Sequence, residues 1–172
     1  PEMSRSPNIT PEQIDAIVGP LLDTGLARAT SSDLVMERQN ETDLVAELVS
    51  YALGCMFGRY SLDEPGLILA DQGATVQDYF AKVPSPTFSP DKDNVIPLVD
   101  GDWFEDDIVA RFRTFLRVAF GEQHFEENLR FVTESLGVRD IRDYFVRSFY
   151  KDHVQRYKKR PIYWLFSSPR GS

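Results

Sequence analysis

Between residues 42 and 60 the apolar side chains come in adjacent pairs four apart: Leu44/Val45, Leu48/Val49, Ala52/Leu53 and Met56/Phe57. Helical geometry turns that spacing into one broad apolar stripe, and a stripe this wide must be covered by other elements. The chain is therefore predicted to fold around a central apolar helix over 42–60. Asn40 or Thr42 can cap it, and Asp43 and Glu47 suit the positive end of its dipole. Gly54 and Gly58, four apart, are expected to share a face. Each costs the helix about 1 kcal/mol against Ala, which close approach of another backbone would explain.

The rest of the chain supplies the cover. Residues 1–40 read as an attached N-terminal segment. Thr10-Pro11 can start a helix with Ile14, Ile17, Val18, Leu21 and Leu22 on one face, and Gly19-Pro20 should break it. Residues 26–36 read as a turn with a short strand. Residues 41–172 form the main helical unit. Its stretch 61–100 is punctuated by Pro65, Pro84, Pro86, Pro90 and Pro97, and its scattered apolar residues favour a loop that wraps and packs its own side chains. Within it, 75–83 can make two helical turns that bury Val76, Tyr79 and Phe80, and 95–99 a short strand.

Three further helices are predicted. The first, 102–120, is capped by Asp102, with acids in its first turn, an apolar face from Ile108 to Phe120, and Gly121 as its stop. The second, 122–136, turns Phe125, Leu129, Val132 and Leu136 inward. The third, 140–157, buries Ile141, Phe145, Phe149 and Val154. Beyond Lys158-Lys159-Arg160-Pro161, residues 162–166 with Tyr163 and Trp164 read as a strand. The fold class is thus mainly α: four to five helices around a central apolar helix, a long irregular loop, and a small β element near the C-terminus.

Composition excludes several functions. Apolar residues make up 42% of the 172, enough for a packed core, but no run approaches the eighteen or more that a membrane helix needs. The start, Pro-Glu-Met-Ser-Arg-Ser, lacks the pattern of a signal peptide and an initiator Met, as a segment cut from a longer protein would. One cysteine cannot form an internal disulfide, which suits a reducing cytosol. The net charge of −8 argues against a general nucleic-acid coat. It is unevenly spread, with residues 139–172 carrying +6 and residues 1–138 carrying −14.

Few residues are arranged for chemistry. Cys55, inside the apolar stripe, reads as structural, since a reactive thiol needs exposure and positive charge nearby. His124 and His153 lack metal ligands at useful spacing and read as surface or half-buried helix residues. Asp91, Asp93, Asp100 and Asp102 resemble calcium ligands, but Ile96 stands where that loop needs glycine, so turns and caps explain them better. Phosphate loops, dinucleotide fingerprints and nucleophile elbows have no match here.

The basic end is the strongest physical clue. Arg139, Arg142, Arg147, Lys151, Arg156, Lys158, Lys159 and Arg160 interleave with Tyr144, Tyr150, Tyr157 and Tyr163. Such a run can neutralise DNA phosphates. Equally, it can be a solvated face that pairs with the acidic remainder of the chain. The DNA-contact candidates are Arg156, Lys158, Lys159 and Arg160, with Arg147 and Lys151.

Three stretches carry a family resemblance. They are Val-Ser-Tyr-Ala-Leu-Gly-Cys-Met-Phe-Gly-Arg-Tyr-Ser-Leu-Asp-Glu-Pro-Gly at 49–66, Asp-Asn-Val-Ile-Pro-Leu-Val-Asp-Gly-Asp-Trp-Phe-Glu-Asp-Asp-Ile at 93–108, and Tyr-Lys-Lys-Arg-Pro-Ile-Tyr-Trp-Leu-Phe-Ser-Ser-Pro-Arg-Gly-Ser at 157–172. Together, over roughly residues 44–172, they resemble the C-terminal region of BREX-type, PglX-like adenine-specific DNA methyltransferases, which are related to fused restriction–modification enzymes. Residues 1–40 carry no such likeness. The resemblance implies a cytoplasmic bacterial enzyme that transfers a methyl group from S-adenosylmethionine to N6 of adenine, marking host DNA so that unmarked phage DNA is excluded. In that family the methyl-donor loop and the Asn-Pro-Pro-Tyr motif lie upstream. Neither occurs in this chain, so no catalytic, cofactor or metal residue is carried over. The implied partners are double-stranded DNA, the catalytic and target-recognition domains of the same protein, and other defence-system subunits, with no membrane. Two roles remain open: a non-catalytic accessory region that supports DNA binding, or a scaffold that docks the catalytic domain or another subunit through 162–166 and exposed aromatics.

Overall fold

The computed structural model describes residues 34–156 apart from Gln72, together with Gln13, Ile14 and Ala16. The central helix, α1, is Leu34–Met56. Val45, Leu48, Val49, Ala52 and Met56 are fully buried along it, as the paired spacing requires. Its start lies eight residues before Thr42. Leu34, Met36, Glu37, Arg38 and Gln39 are all good helix formers, and they carry the helix back through a region expected to hold a turn and strand. α1 therefore crosses residue 40, and Ile14 from the preceding segment is buried in the same core.

Thr42 is consequently not a cap. Its hydroxyl donates to the Ser135 carbonyl at 2.8 Å, and the Ser135 hydroxyl donates to Glu41 at 2.7 Å. Two residues past the end of α1, Gly58, with a φ of +70°, closes a left-handed cap: its amide donates to Cys55 O and that of Arg59 to Gly54 O. Gly54 and Gly58 thus do different jobs. Gly54 accommodates the ring of Tyr60, with which a Cβ there would clash. No second backbone approaches them as a pair.

The long stretch after α1 does wrap and pack itself. Asp91 N donates to Met56 O at 2.7 Å, and Asp63 accepts from both the amide and hydroxyl of Thr87. Ile68, Leu69, Tyr79 and Val83 form a small apolar cluster of their own. Its helix, α2, is Val76–Lys82, with Thr75 and Asp78 in a reciprocal cap. Tyr79 is buried there, while Phe80, on the outer side, is exposed. Residues 95–99 form no strand, their carbonyls at Pro97 and Val99 accepting instead from the Ile108 amide and the Arg142 guanidinium, and the described residues contain no strand. The β element expected at 162–166 lies outside the described residues.

α3 is Ile108–Phe120 and α4 is Phe125–Ser135. The cap of α3 is Asp107, not Asp102: the Asp107 carboxylate accepts from Val109 N at 2.9 Å. Asp102 is held elsewhere, by Arg142. The last helix, α5, is built from three pieces: an α turn at Ile141–Tyr144, a π turn at Phe145–Phe149, and an α segment at Tyr150–Arg156. Ile141, Phe145, Phe149 and His153 follow one another at strict intervals of four, and all are buried. In a pure α-helix that interval drifts around the axis. The wider π turn rotates less per residue and returns the row to the core. That is why His153 is inside, and Val154, expected there, is half-buried. An aromatic chain unites the helices: Tyr60 stacks on Tyr51, Tyr51 meets Phe115, then follow Phe112, Phe145, Phe149 and His153.

Candidate functional site: a charged cleft

The described residues enclose a cleft of about 680 Å³. One wall is the loop residues Asp100, Gly101 and Asp102; another is Val109 and Arg113 of α3. The remainder comes from α4 and from residues 139–147. Arginines and acids line it in equal number: Arg113, Arg130, Arg139, Arg142 and Arg147 against Asp100, Asp102, Glu126, Asp140 and Asp143.

Arg142 is the hub. Its guanidinium grips Asp107 with two parallel hydrogen bonds of 2.9 and 3.0 Å, the forked geometry that suits a carboxylate. It also donates to Asp102 and to the Val99 carbonyl, both at 2.6 Å. The Asp107 side chain is 1% exposed. One arginine of α5 therefore fixes the start of α3 and the loop leading to it.

The other rim charges are loosely held. Arg139 pairs with Asp140 at 3.1 Å and Arg147 with Asp143 at 3.2 Å, and both arginines are well exposed. Exposed pairs of this kind contribute little and exchange partners readily. Arg113 makes no ion pair among the described residues.

The remaining predicted residues fall as follows. Lys151 is exposed on α5, one turn beyond Arg147. Arg156 turns inward: its guanidinium lies 2.9 Å from Glu47 and 3.6 Å from Asp43 of α1, and its side chain is only 20% exposed. It ties α5 to α1, which is the internal pairing that the acidic remainder of the chain offered. Lys158, Lys159 and Arg160 lie outside the described residues. Sequence reasoning missed the Arg142–Asp107 hub, because the two are separated by 35 residues. It also absorbed Trp103 and Phe104 into a helix start; two large aromatics flanked by acids were the available signal.

Among the described residues, no group of three or more His, Cys, Asp or Glu is placed to hold a metal ion. Asp91 and Asp93, which looked like calcium ligands, form successive turns by accepting from Asp93 N and Val95 N. Burial raises the Asp91 carboxyl, while the Val95 amide lowers Asp93. Cys55 is buried as expected, its thiol pushed up to about 12 by desolvation. No described helix is long and apolar enough to cross a membrane.

Fold and cleft together define a helical module with one charged cleft among its described residues. No family model matches the chain. Its sequence is 42% identical over 154 residues to the adenine-specific methyltransferase BrxX of Escherichia coli O9:H4 (strain HS), covering 82% of this chain and 13% of that protein. It is 41% identical over 148 residues to the adenine-specific methyltransferase PglX of Lacticaseibacillus casei (strain Zhang), covering 81% of this chain and 12% of that one. The chain belongs to this family of BREX-type adenine-specific methyltransferases, and it spans about one eighth of the length of the relatives it matches.

Proposed function

We propose that this chain is a non-catalytic helical accessory region of a site-specific DNA adenine-N6 methyltransferase acting in phage defence in the bacterial cytoplasm, and that it supports DNA binding. The observation that carries this reading is the 42% identity to a methyltransferase of which the chain spans only 13%. The methyl donor S-adenosylmethionine and the catalytic groups belong, on this reading, to the rest of the protein. So do the target-recognition residues. Other defence-system subunits are further partners.

Phosphate contact is assigned to Arg147, Lys151, Lys158, Lys159 and Arg160. The first two stand exposed one turn apart, and a weak partner such as Asp143 can give way to a phosphate. Arg156 is left to hold α5 in place. The test is duplex binding by the full-length methyltransferase across a salt series, with Lys151, Lys158, Lys159 and Arg160 all changed to Glu. Each phosphate contact contributes roughly 0.9 to the slope of log affinity against log salt, so the slope should fall by about 2 to 4. Unchanged affinity and slope would end the reading.

A further inference from the structure

The exposed aromatic pair Trp103 and Phe104 points to a partner other than DNA. Trp103 is 76% exposed and Phe104 53%, whereas most of the other aromatics among the described residues are buried. The pair is held in place. The Trp103 amide donates to Gly101 O and the Asp107 amide to Phe104 O. On either side, Arg142 grips Val99, Asp102 and Asp107. The Trp103 indole folds over Gly101, where a Cβ would meet its Nε1 at 2.7 Å. A large apolar surface fixed outward in this way has already lost the freedom that docking would cost it.

Residues 93–107 contain six acids and no Lys or Arg. Asp102 and Asp107 are paired with Arg142, whereas Asp93, Asp100, Glu105 and Asp106 make no ion pair among the described residues. Such a field repels a phosphate backbone and attracts a basic protein surface. Val146, which lines the cleft, is also exposed.

We propose that the Trp103–Phe104 knob docks into an apolar pocket rimmed by Lys and Arg on the remainder of the same methyltransferase. This rests on the reading that the chain is one segment of that protein; the relatives have about seven eighths of their length outside the matched region. Trp is favoured among residues that anchor interfaces, and charged rims set the register.

The test uses the full-length methyltransferase with Phe104→p-benzoylphenylalanine, irradiated, digested and mapped by mass spectrometry. The expected result is an intramolecular cross-link to a Lys- or Arg-containing peptide outside these 172 residues. Cross-links confined to residues 1–172, to a second copy or to added DNA would overturn the proposal, as would their absence. In parallel, Trp103→Ser/Phe104→Ser should raise the rate of tryptic cleavage at the cross-linked peptide roughly tenfold, the effect of losing an anchor. An unchanged rate counts against docking. Neither readout depends on DNA, so the salt series and the cross-link can fail separately.

Discussion

His153 shows how one buried side chain can carry a pH signature. It is fully buried, stacked on Phe149 at 5.7 Å. Desolvation, helped by the charge of Arg156, pushes it down to about 4 from an ordinary 6.5. The folded chain therefore holds it neutral where the unfolded chain would bind a proton. Stability should be unaffected by this group above pH 6.5, then fall as pH drops through 6.5 towards 4, by up to about 3 kcal/mol. The carboxylates titrate over part of the same range, so the informative quantity is a difference. Thermal unfolding of the wild type and of His153→Phe should differ by a constant offset above pH 6.5 and shift relative to each other in acid, the wild type losing stability that the variant keeps; parallel curves throughout would exclude the effect. The position was readable in part. The four-residue row of Ile141, Phe145 and Phe149 leads to His153, but a sequence scan prefers the apolar neighbour Val154, because side-chain chemistry is visible and a change of helical pitch is not.

Among the elements, the loop before α3 depends most on one contact. Removing one partner of a buried ion pair leaves the other charge stranded and costs about 3 to 5 kcal/mol. Arg142→Met should therefore lower the denaturation midpoint sharply. Asp107→Ser keeps a capping oxygen for Val109 N while deleting the charge. The double variant should be less destabilised than the sum of the two singles, and a strictly additive cycle would show that the pair is not coupled. The helices this contact joins were legible from their apolar faces: α3 and α4 fall within the predicted spans. Their starts were less so. Acids at Asp102, Glu105, Asp106 and Asp107 all look like good first-turn residues, and only the distant Arg142 selects Asp107. The early start of α1 was hidden for another reason: residues 34–39 are helix formers without an apolar stripe.

At the scale of the whole molecule, α1 is covered by packing and then locked by charge. Arg156 joins the last described turn to Glu47 and Asp43 near the middle of α1. Reversing it should separate fold from function. Arg156→Glu is expected to lower the unfolding temperature of the chain, because it sets like charges together inside a partly buried triad. Lys151→Glu, five residues earlier and exposed, should leave that temperature within the scatter of surface changes. Equal effects from the two would show that Arg156 is not a tether. The charge imbalance along the sequence foretold that basic and acidic parts could meet, but not which cation would be spent inside and which left outside. The π turn decides this too. It acts as a phase setting between the two α segments of α5. Shortening Phe145–Phe149 by one residue would restore a uniform α-helix, swing Tyr150–Arg156 around the axis, and turn His153 and Arg156 away from the partners they now meet.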